Sequence, residues 1–163
     1  VDIDDRPTVI RYSKDPMPDD ICVVASHDGL DVLRDGPEDG ILLVAHGQLC
    51  AQALAAVDQL DAPVRVVSPR WSLPVCEGLI EEAANARAVV SVEDGLVVSG
   101  LGSHLADALS ERGVWRPIRN LGIPQRYLDH DSRSAIMAEL GLDARGIADA
   151  VSQLVTQFGS ASS

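Results

Sequence analysis

His46 is the first candidate for acid–base or metal chemistry in a loop that follows a predicted strand, and it stands in the run Ala45-His46-Gly47-Gln48. An imidazole near neutral pH can act as a general base or as a metal ligand. No Ser, Cys or second His stands at a spacing that predicts a dyad or a metal site with it. We therefore interpret His46 as a structural residue of a loop that enters a helix.

A pair of acidic residues and a glycine-rich turn form the second candidate. Glu93 and Asp94 follow an apolar run, where carboxylates can do acid–base work. Gly100-Leu101-Gly102-Ser103 opens a predicted helix, whose free N–H groups can hold a phosphate. The turn lacks both the complete G-x-G-x-x-G pattern and the lysine of a P-loop. We therefore interpret Gly100, Gly102 and Ser103 as a close-packing turn or a dimer contact.

Two further loops combine cationic and aromatic side chains. Arg70 and Trp71 stand between two prolines in the loop 69–74. Arg70 is able to bind an anion, but both residue types are favoured at protein interfaces, so we expect packing or a subunit contact. The loop 122–130 carries an arginine, a tyrosine and a histidine, which form a pocket or simply lead to the next helix.

The residues by themselves predict no catalytic group and no metal site. No Ser-His-Asp set, zinc spacing or glycosidase-type carboxylate pair is present as a pattern. Cys22, Cys50 and Cys76 are too far apart for a C-x-x-C motif and odd in number, which favours free thiols in a reducing cytoplasm.

Composition restricts the class of protein. The 163 residues suit one domain, and 46% hydrophobic with only 3% aromatic residues predicts a core of Val, Leu, Ile and Ala. The net charge of -12, with 13 basic residues scattered among 25 acidic ones, argues against nucleic-acid binding. No apolar run approaches the length of a membrane span, and no export signal is recognised, so we expect no membrane association.

Strand and helix patterns alternate along most of the chain. The predicted strands are 41–45, 64–68, 88–93 and 115–121, and the predicted helices are 49–60, 76–86, 103–112, one capped by Asp131 or Ser132 that stops at Gly141, and one capped by Asp143 that runs to about Phe158. A hairpin-like segment, 31–34, is closed by the turn signals Asp35-Gly36 and Asp39-Gly40. This order predicts a mostly parallel sheet covered by helices on both faces.

The first twenty residues read differently. Residues 7–12 form a short β-branched run, and residues 13–20 form a polar linker with two prolines. We predict the end of a preceding domain plus a linker at 1–20, the main domain at 21–158 and a disordered tail at 159–163. Since the chain begins at Val1, we expect a processed or truncated N-terminus.

Four segments together carry a family resemblance. They are Val92-Glu93-Asp94-Gly95, Gly100-Leu101-Gly102-Ser103, Asn120-Leu121-Gly122-Ile123-Pro124 and Ala138-Glu139-Leu140-Gly141-Leu142-Asp143. In this order and spacing the chain resembles the C-terminal domain of the 1-deoxy-D-xylulose-5-phosphate synthases, thiamine-diphosphate enzymes of the transketolase superfamily. The resemblance implies a three-layer α/β/α fold with a five-stranded mixed sheet, one strand of it antiparallel.

The resemblance also implies a function for the full-length protein. The family joins pyruvate, with loss of CO2, to glyceraldehyde 3-phosphate, and so supplies isoprenoid, thiamine and pyridoxal synthesis. It implies a cytoplasmic homodimer in which this domain contacts its own upstream cofactor domains. The family's ligands for thiamine diphosphate and magnesium lie upstream of this domain, so we expect the isolated chain to be inactive and to bind neither.

One substrate-binding residue is implied within the chain. The family's run Arg-Tyr-Pro-Arg-Gly, whose second arginine binds the aldehyde's phosphate, is matched by Arg11-Tyr12-Ser13-Lys14-Asp15. Lys14, with Arg11 beside it, is thus the expected phosphate-binding residue. A lysine keeps the charge but loses the planar fork that grips phosphate through two bonds.

Two alternative functions are kept. One is a non-catalytic dimerisation or regulatory α/β domain of a divergent paralogue. The other is the C-terminal domain of a 2-oxoacid dehydrogenase β subunit, which would need lipoyl-domain partners and which the run from Leu121 to Ile147 disfavours.

Overall fold

Short aliphatic and β-branched runs form one six-stranded sheet. The structure, a computed structural model, describes residues 5, 7, 9 and 20–158. The strands are β1 (Ala25–His27), β2 (Leu30–Arg34), β3 (Ile41–Ala45), β4 (Val64–Pro69), β5 (Ala88–Leu96) and β6 (Ile118–Ile123). Their order across the sheet is β1-β2-β4-β3-β5-β6. Strands β3, β4, β5 and β6 are parallel, and β2 runs antiparallel to both of its neighbours.

The predicted sheet is confirmed in class and corrected in strand number. The extra strand is β1, which pairs with β2 through a hairpin whose turn is Asp28-Gly29. Both turn residues have positive φ, 44° and 82°, as a type I′ hairpin turn requires. The prediction placed the closing turns after β2 instead, because the run Ala25-Ser26-His27 has little β-branched character. After β2 the chain crosses to β3, which is not its neighbour in the sheet.

Helices cover both faces, as predicted. The helices are α1 (Leu49–Val57), α2 (Glu77–Asn85), α3 (Leu101–Glu111), α4 (Arg133–Glu139) and α5 (Ala144–Phe158). One core contains side chains of α1, α4 and α5 against the sheet, with Leu43 and Val90 at its centre. The other contains α2 and α3, with Leu42 and Val89 on the opposite sheet face. Both cores are aliphatic, as the composition predicts.

The predicted helix caps near the C-terminal end are confirmed. Ser132 Oγ accepts a hydrogen bond from Ala135 N at 3.2 Å, and α4 begins at the next residue. Gly141, at φ 67°, ends that helix. Asp143 Oδ1 accepts a hydrogen bond from Gly146 N at 2.8 Å and so caps α5. Among the described residues, no helix is both long and apolar enough to cross a membrane.

Element ends differ from prediction by a few residues. Strand β6 begins at Ile118 rather than Trp115, after Pro117, which has no N–H to give to a ladder. Helix α1 ends at Val57 instead of reaching Leu60. The predicted strand 7–12 falls mostly outside the described residues, as do Arg11, Lys14 and the tail 159–163. The division of the chain at residue 20 therefore stays a prediction.

Candidate functional site at the carboxyl edge of the sheet

The four parallel strands end at one edge of the sheet, and the loops that follow them lie side by side there. In such sheets, loops at the carboxyl ends collect the groups that bind and react. These loops carry His46 after β3, the segment Arg70–Val75 after β4, and Asp94 to Gly100 at the end of β5. Neighbouring strands β4, β3 and β5 bring the three together although they are far apart in sequence.

His46 has a serine partner that the sequence did not predict. Its Nε2 lies 2.7 Å from Ser72 Oγ, 26 residues further along the chain. The spacing of the two residues along the chain gave no sign of this contact, and whether it amounts to a dyad depends on the protonation of the ring. The pair forms because β3 and β4 are adjacent, which places the two loops side by side.

The other ring nitrogen decides what the pair can do. His46 Nδ1 is buried and has no hydrogen-bond partner among the residues that the structure describes. A buried N–H without an acceptor costs more than a bare lone pair, so the proton belongs on Nε2 and is donated to Ser72 Oγ. A nucleophilic dyad needs the reverse arrangement, with Nδ1–H held by an acceptor and Nε2 free to take the serine proton. The geometry therefore favours a structural hydrogen bond, in agreement with our interpretation of His46.

The loop that holds Ser72 presents apolar side chains to solvent. Trp71 is 71% exposed and Leu73 is 51% exposed. Across the same edge, Leu96 at the end of β5 and Val98 in the loop before α3 are also exposed by about half. Arg70 donates to Asp31 Oδ1 at 3.4 Å, an exposed pair that adds little stability. Arg70 and Trp71 thus lie at the surface, where the predicted packing or subunit contact would require them.

Glu93 is a buried carboxylate that organises the glycine-rich turn. It accepts hydrogen bonds from Leu101 N at 3.1 Å and Gly102 N at 3.5 Å, at the start of α3. This satisfies free N–H groups at the positive end of the helix, whose N-cap residue, Gly100, has no side chain that could do so. A methyl group at Gly100 would lie 2.5 Å from Glu93 Cδ. The anion bound at the start of α3 is therefore the carboxylate of Glu93, and a bound phosphate is not needed to explain the turn.

Close packing between α3 and the sheet requires a glycine at position 102. Below it, Ser91 Oγ donates to Asn120 Oδ1 at 2.8 Å, linking β5 to β6. A methyl group at Gly102 would lie 2.6 Å from Asn120 Cγ and closer still to both oxygens. Ser103 Oγ donates to the carbonyl of Val97 at 2.9 Å. Buried Gly102 thus meets its own sheet, which accounts for the glycine without a partner subunit.

Arg133, the first residue of α4, forms hydrogen bonds to two residues at the carboxyl edge of the sheet. Its guanidinium donates to Asp94 Oδ2 at 2.9 Å and Gln48 Oε1 at 3.2 Å. Beside it, a cavity of about 550 Å³ lies between α1, α4 and the turn before α5. Gln48, Gln52, Arg133 and Asp143 line it over an apolar floor of Leu49, Met137 and Leu142. Sequence reasoning missed Arg133, because its partners lie 39 and 85 residues away.

Neither cysteines nor carboxylates assemble a metal site in the part of the chain that the structure describes. No group of three or more His, Cys, Asp or Glu side chains is positioned there to hold an ion. The three cysteines are free thiols. Burial raises the pKa of the Cys50 thiol, against a smaller opposing effect of its hydrogen bond to Ser68. Cys50 is therefore a poor nucleophile, because the thiolate is the reactive form.

Comparison with known proteins gives the family and its fold. The model of the transketolase C-terminal domain matches residues 30–147. A 1-deoxy-D-xylulose-5-phosphate synthase of Cutibacterium acnes is 91% identical over 158 residues, which are 97% of this chain and 25% of the synthase. Synthase 2 of Streptomyces avermitilis is 43% identical over 163 residues, with the same two coverages.

Solved structures agree with these matches. A split-gene transketolase, solved as an inactive beta4 tetramer, superposes with a TM-score of 0.68 at 30% identity, covering 83% of this chain and 44% of that one. Transketolase from Leishmania mexicana superposes with a TM-score of 0.55 at 18% identity, covering 83% of this chain and 19% of that one, and shows the fold alone. The chain spans about a quarter of the length of the synthases it matches.

Proposed function

The chain belongs to the family of transketolase C-terminal domains, and we propose that it is this domain of a 1-deoxy-D-xylulose-5-phosphate synthase. The observation that carries the proposal is the 91% identity to the Cutibacterium acnes synthase over nearly the whole chain. In full length, such a protein would join pyruvate to glyceraldehyde 3-phosphate with release of CO2. The 2-oxoacid dehydrogenase alternative has no comparable support, because the relatives with 91% and 43% identity are both synthases.

The direct test is an assay of the full-length parent protein. Supplied with thiamine diphosphate and Mg²⁺, it should form the five-carbon sugar phosphate only when pyruvate and glyceraldehyde 3-phosphate are both present. A parent protein that releases CO2 but transfers the remaining two carbons to a lipoyl group would be a 2-oxoacid dehydrogenase. A parent protein that consumes neither substrate would favour the non-catalytic paralogue.

Thiamine diphosphate and Mg²⁺ do not fit the residues of this domain. The magnesium–diphosphate unit needs several converging oxygen ligands, and the described residues contain no such cluster. Glu93, a buried carboxylate at the carboxyl edge, is already bound to the start of α3. We therefore assign cofactor binding to the remaining three quarters of the full-length protein. Titration calorimetry on this chain should show no heat with cofactor and Mg²⁺, and a micromolar dissociation constant would refute the assignment.

Lys14 is proposed to bind the phosphate of glyceraldehyde 3-phosphate. The proposal rests on the sequence run after Arg11 and on the charge that a phosphate needs, since both residues lie outside the described part of the structure. Exchange of a bidentate guanidinium for an ammonium costs on the order of 1 kcal/mol, about fivefold in affinity. Lys14→Arg should thus lower the KM for the aldehyde and Lys14→Ala should raise it, with the KM for pyruvate unchanged.

The exposed apolar side chains at the carboxyl edge are proposed to face another copy of the full-length protein. Trp71, Leu73, Leu96 and Val98 expose at least half of their surface. Large aromatic side chains of this kind dominate the affinity of protein interfaces. The protein would accordingly be a homodimer, and we place it in the cytoplasm on the strength of the family and the free thiols. Trp71→Ala should weaken self-association of the full-length protein measured by sedimentation.

A further inference from the structure

The loop that carries Trp71 makes few hydrogen bonds to the rest of the domain. At its start, Arg70 N donates to the carbonyl of Gly29 at 3.0 Å. Beyond Arg70, the five residues from Trp71 to Val75 make one hydrogen bond within the described part of the chain, between Ser72 Oγ and His46 Nε2 at 2.7 Å. Helix α2 begins only at Glu77. Val75 packs against the core at the far end of the loop, so the bond between Ser72 and His46 is the hydrogen bond that holds the exposed middle of the loop.

The same loop exposes the largest apolar side chain of the carboxyl edge. Trp71 lies next to Ser72 in the chain and is 71% exposed. Packing within the domain therefore does little to fix the indole. An exposed group that docks onto a partner binds better when its loop is already ordered, because association then loses less conformational entropy.

We infer that His46 is a positioning residue for the Trp71 loop: its Nε2–H holds Ser72 and thereby orients Trp71 for docking. The hydrogen bond between His46 and Ser72 is present in the structure itself. Its effect on docking rests on the proposed contact between copies of the protein. His46 itself is well anchored, since its backbone N donates to the carbonyl of Val92 on the adjacent strand at 3.2 Å. The loop is thus tied to the centre of the sheet.

Two amide substitutions at His46 distinguish the roles of its two ring nitrogens. In His46→Gln the side-chain amide nitrogen reaches the place of Nε2 and can still donate to Ser72. In His46→Asn the amide nitrogen reaches only the place of Nδ1, for which the described part of the chain offers no partner. Both replacements are polar and uncharged but differ by one methylene, so Ser72→Ala, which removes the same hydrogen bond from the other side, serves as the control.

The first measurement reads the loop directly in this chain. The chain has two tryptophans, and Trp115→Phe leaves Trp71 as the only one. In that background, His46→Asn and Ser72→Ala should each add a nanosecond component to the decay of Trp71 fluorescence anisotropy, the timescale of loop motion. His46→Gln should decay like the parent. Identical decays in all four proteins would overturn the inference.

The second measurement tests the consequence in the full-length protein. His46→Asn and Ser72→Ala should each raise the dimer dissociation constant about two- to tenfold, the equivalent of one hydrogen bond. The double substitution should do no more than either alone, because both remove the same bond. If Trp71→Ala itself leaves the dissociation constant unchanged, the proposed contact between copies fails, whereas the anisotropy result still decides the role of His46.

Discussion

Gly102 offers the sharpest test of the internal packing at the carboxyl edge. The sequence suggested two reasons for a small residue there, close packing or a dimer contact. The structure places Gly102 over the hydrogen bond from Ser91 to Asn120, with only 2.6 Å between an added methyl group and Asn120 Cγ. Gly102→Ala must therefore displace α3 or break that bond.

The size of the effect follows from three contributions. Overpacking of a filled core costs about 1–3 kcal/mol. Loss of the bond from Ser91 to Asn120 leaves buried polar atoms unsatisfied, which costs about 1–3 kcal/mol more. Alanine returns about 1 kcal/mol through its higher helix propensity. We expect Gly102→Ala to lower the free energy of unfolding by about 3 kcal/mol.

Urea denaturation followed by circular dichroism measures this directly in the isolated chain. Adding Ser91→Ala to Gly102→Ala should recover part of the loss, because it removes one of the two crowded oxygens. Ser110→Ala, on an exposed position of the same helix, should change stability by no more than about 0.5 kcal/mol. If Gly102→Ala is as stable as the parent or more stable, the internal account is wrong and the glycine is better explained by a partner.

Three further predictions concern single sites. Glu93→Ala should cost about 1–3 kcal/mol in urea denaturation, because two α3 amides lose their acceptor, and an unchanged midpoint would contradict its capping role. Ser99 has φ 60°, so Ser99→Gly should match or exceed the parent by up to about 1 kcal/mol, whereas Ser110→Gly within α3 should lose about 0.5 kcal/mol. Burial raises the pKa of the Cys50 thiol, so the folded state favours the protonated form. The stability that Cys50 contributes as a protonated thiol is therefore lost as pH rises through its folded pKa. At pH 8 iodoacetamide should therefore modify exposed Cys22 before Cys50, as peptide mass mapping would show.

The parallel part of the sheet could be predicted from the sequence, and its first strand could not. Strands β3 and β5 are nearly continuous apolar runs, which only a sheet covered on both faces accommodates. Strand β1 has three residues, and its main signal is the Asp28-Gly29 turn, which requires positive φ at both positions. Two further turn signals, Asp35-Gly36 and Asp39-Gly40, follow within eleven residues and favour a turn after β2 equally well.

The contacts of the candidate site were beyond sequence reasoning for a different reason. His46 contacts Ser72 only because β3 and β4 are neighbours in the sheet. Local sequence patterns locate the strands but do not predict their order across the sheet. Gly102 is constrained by Ser91 and Asn120, which lie on two other strands. The sequence did identify the loops that carry these residues, because loops after parallel strands can be located from the alternation of elements.

The central claim is that this chain serves as the C-terminal domain of a 1-deoxy-D-xylulose-5-phosphate synthase. The most direct test replaces the matching quarter of the Cutibacterium acnes synthase with this chain and measures product formation from pyruvate and glyceraldehyde 3-phosphate. Substitutions away from special features change free energies by only about 0.5 kcal/mol, so the rate of the chimera should stay within about threefold of the parent synthase. A chimera that is soluble and dimeric but forms no sugar phosphate would contradict the claim.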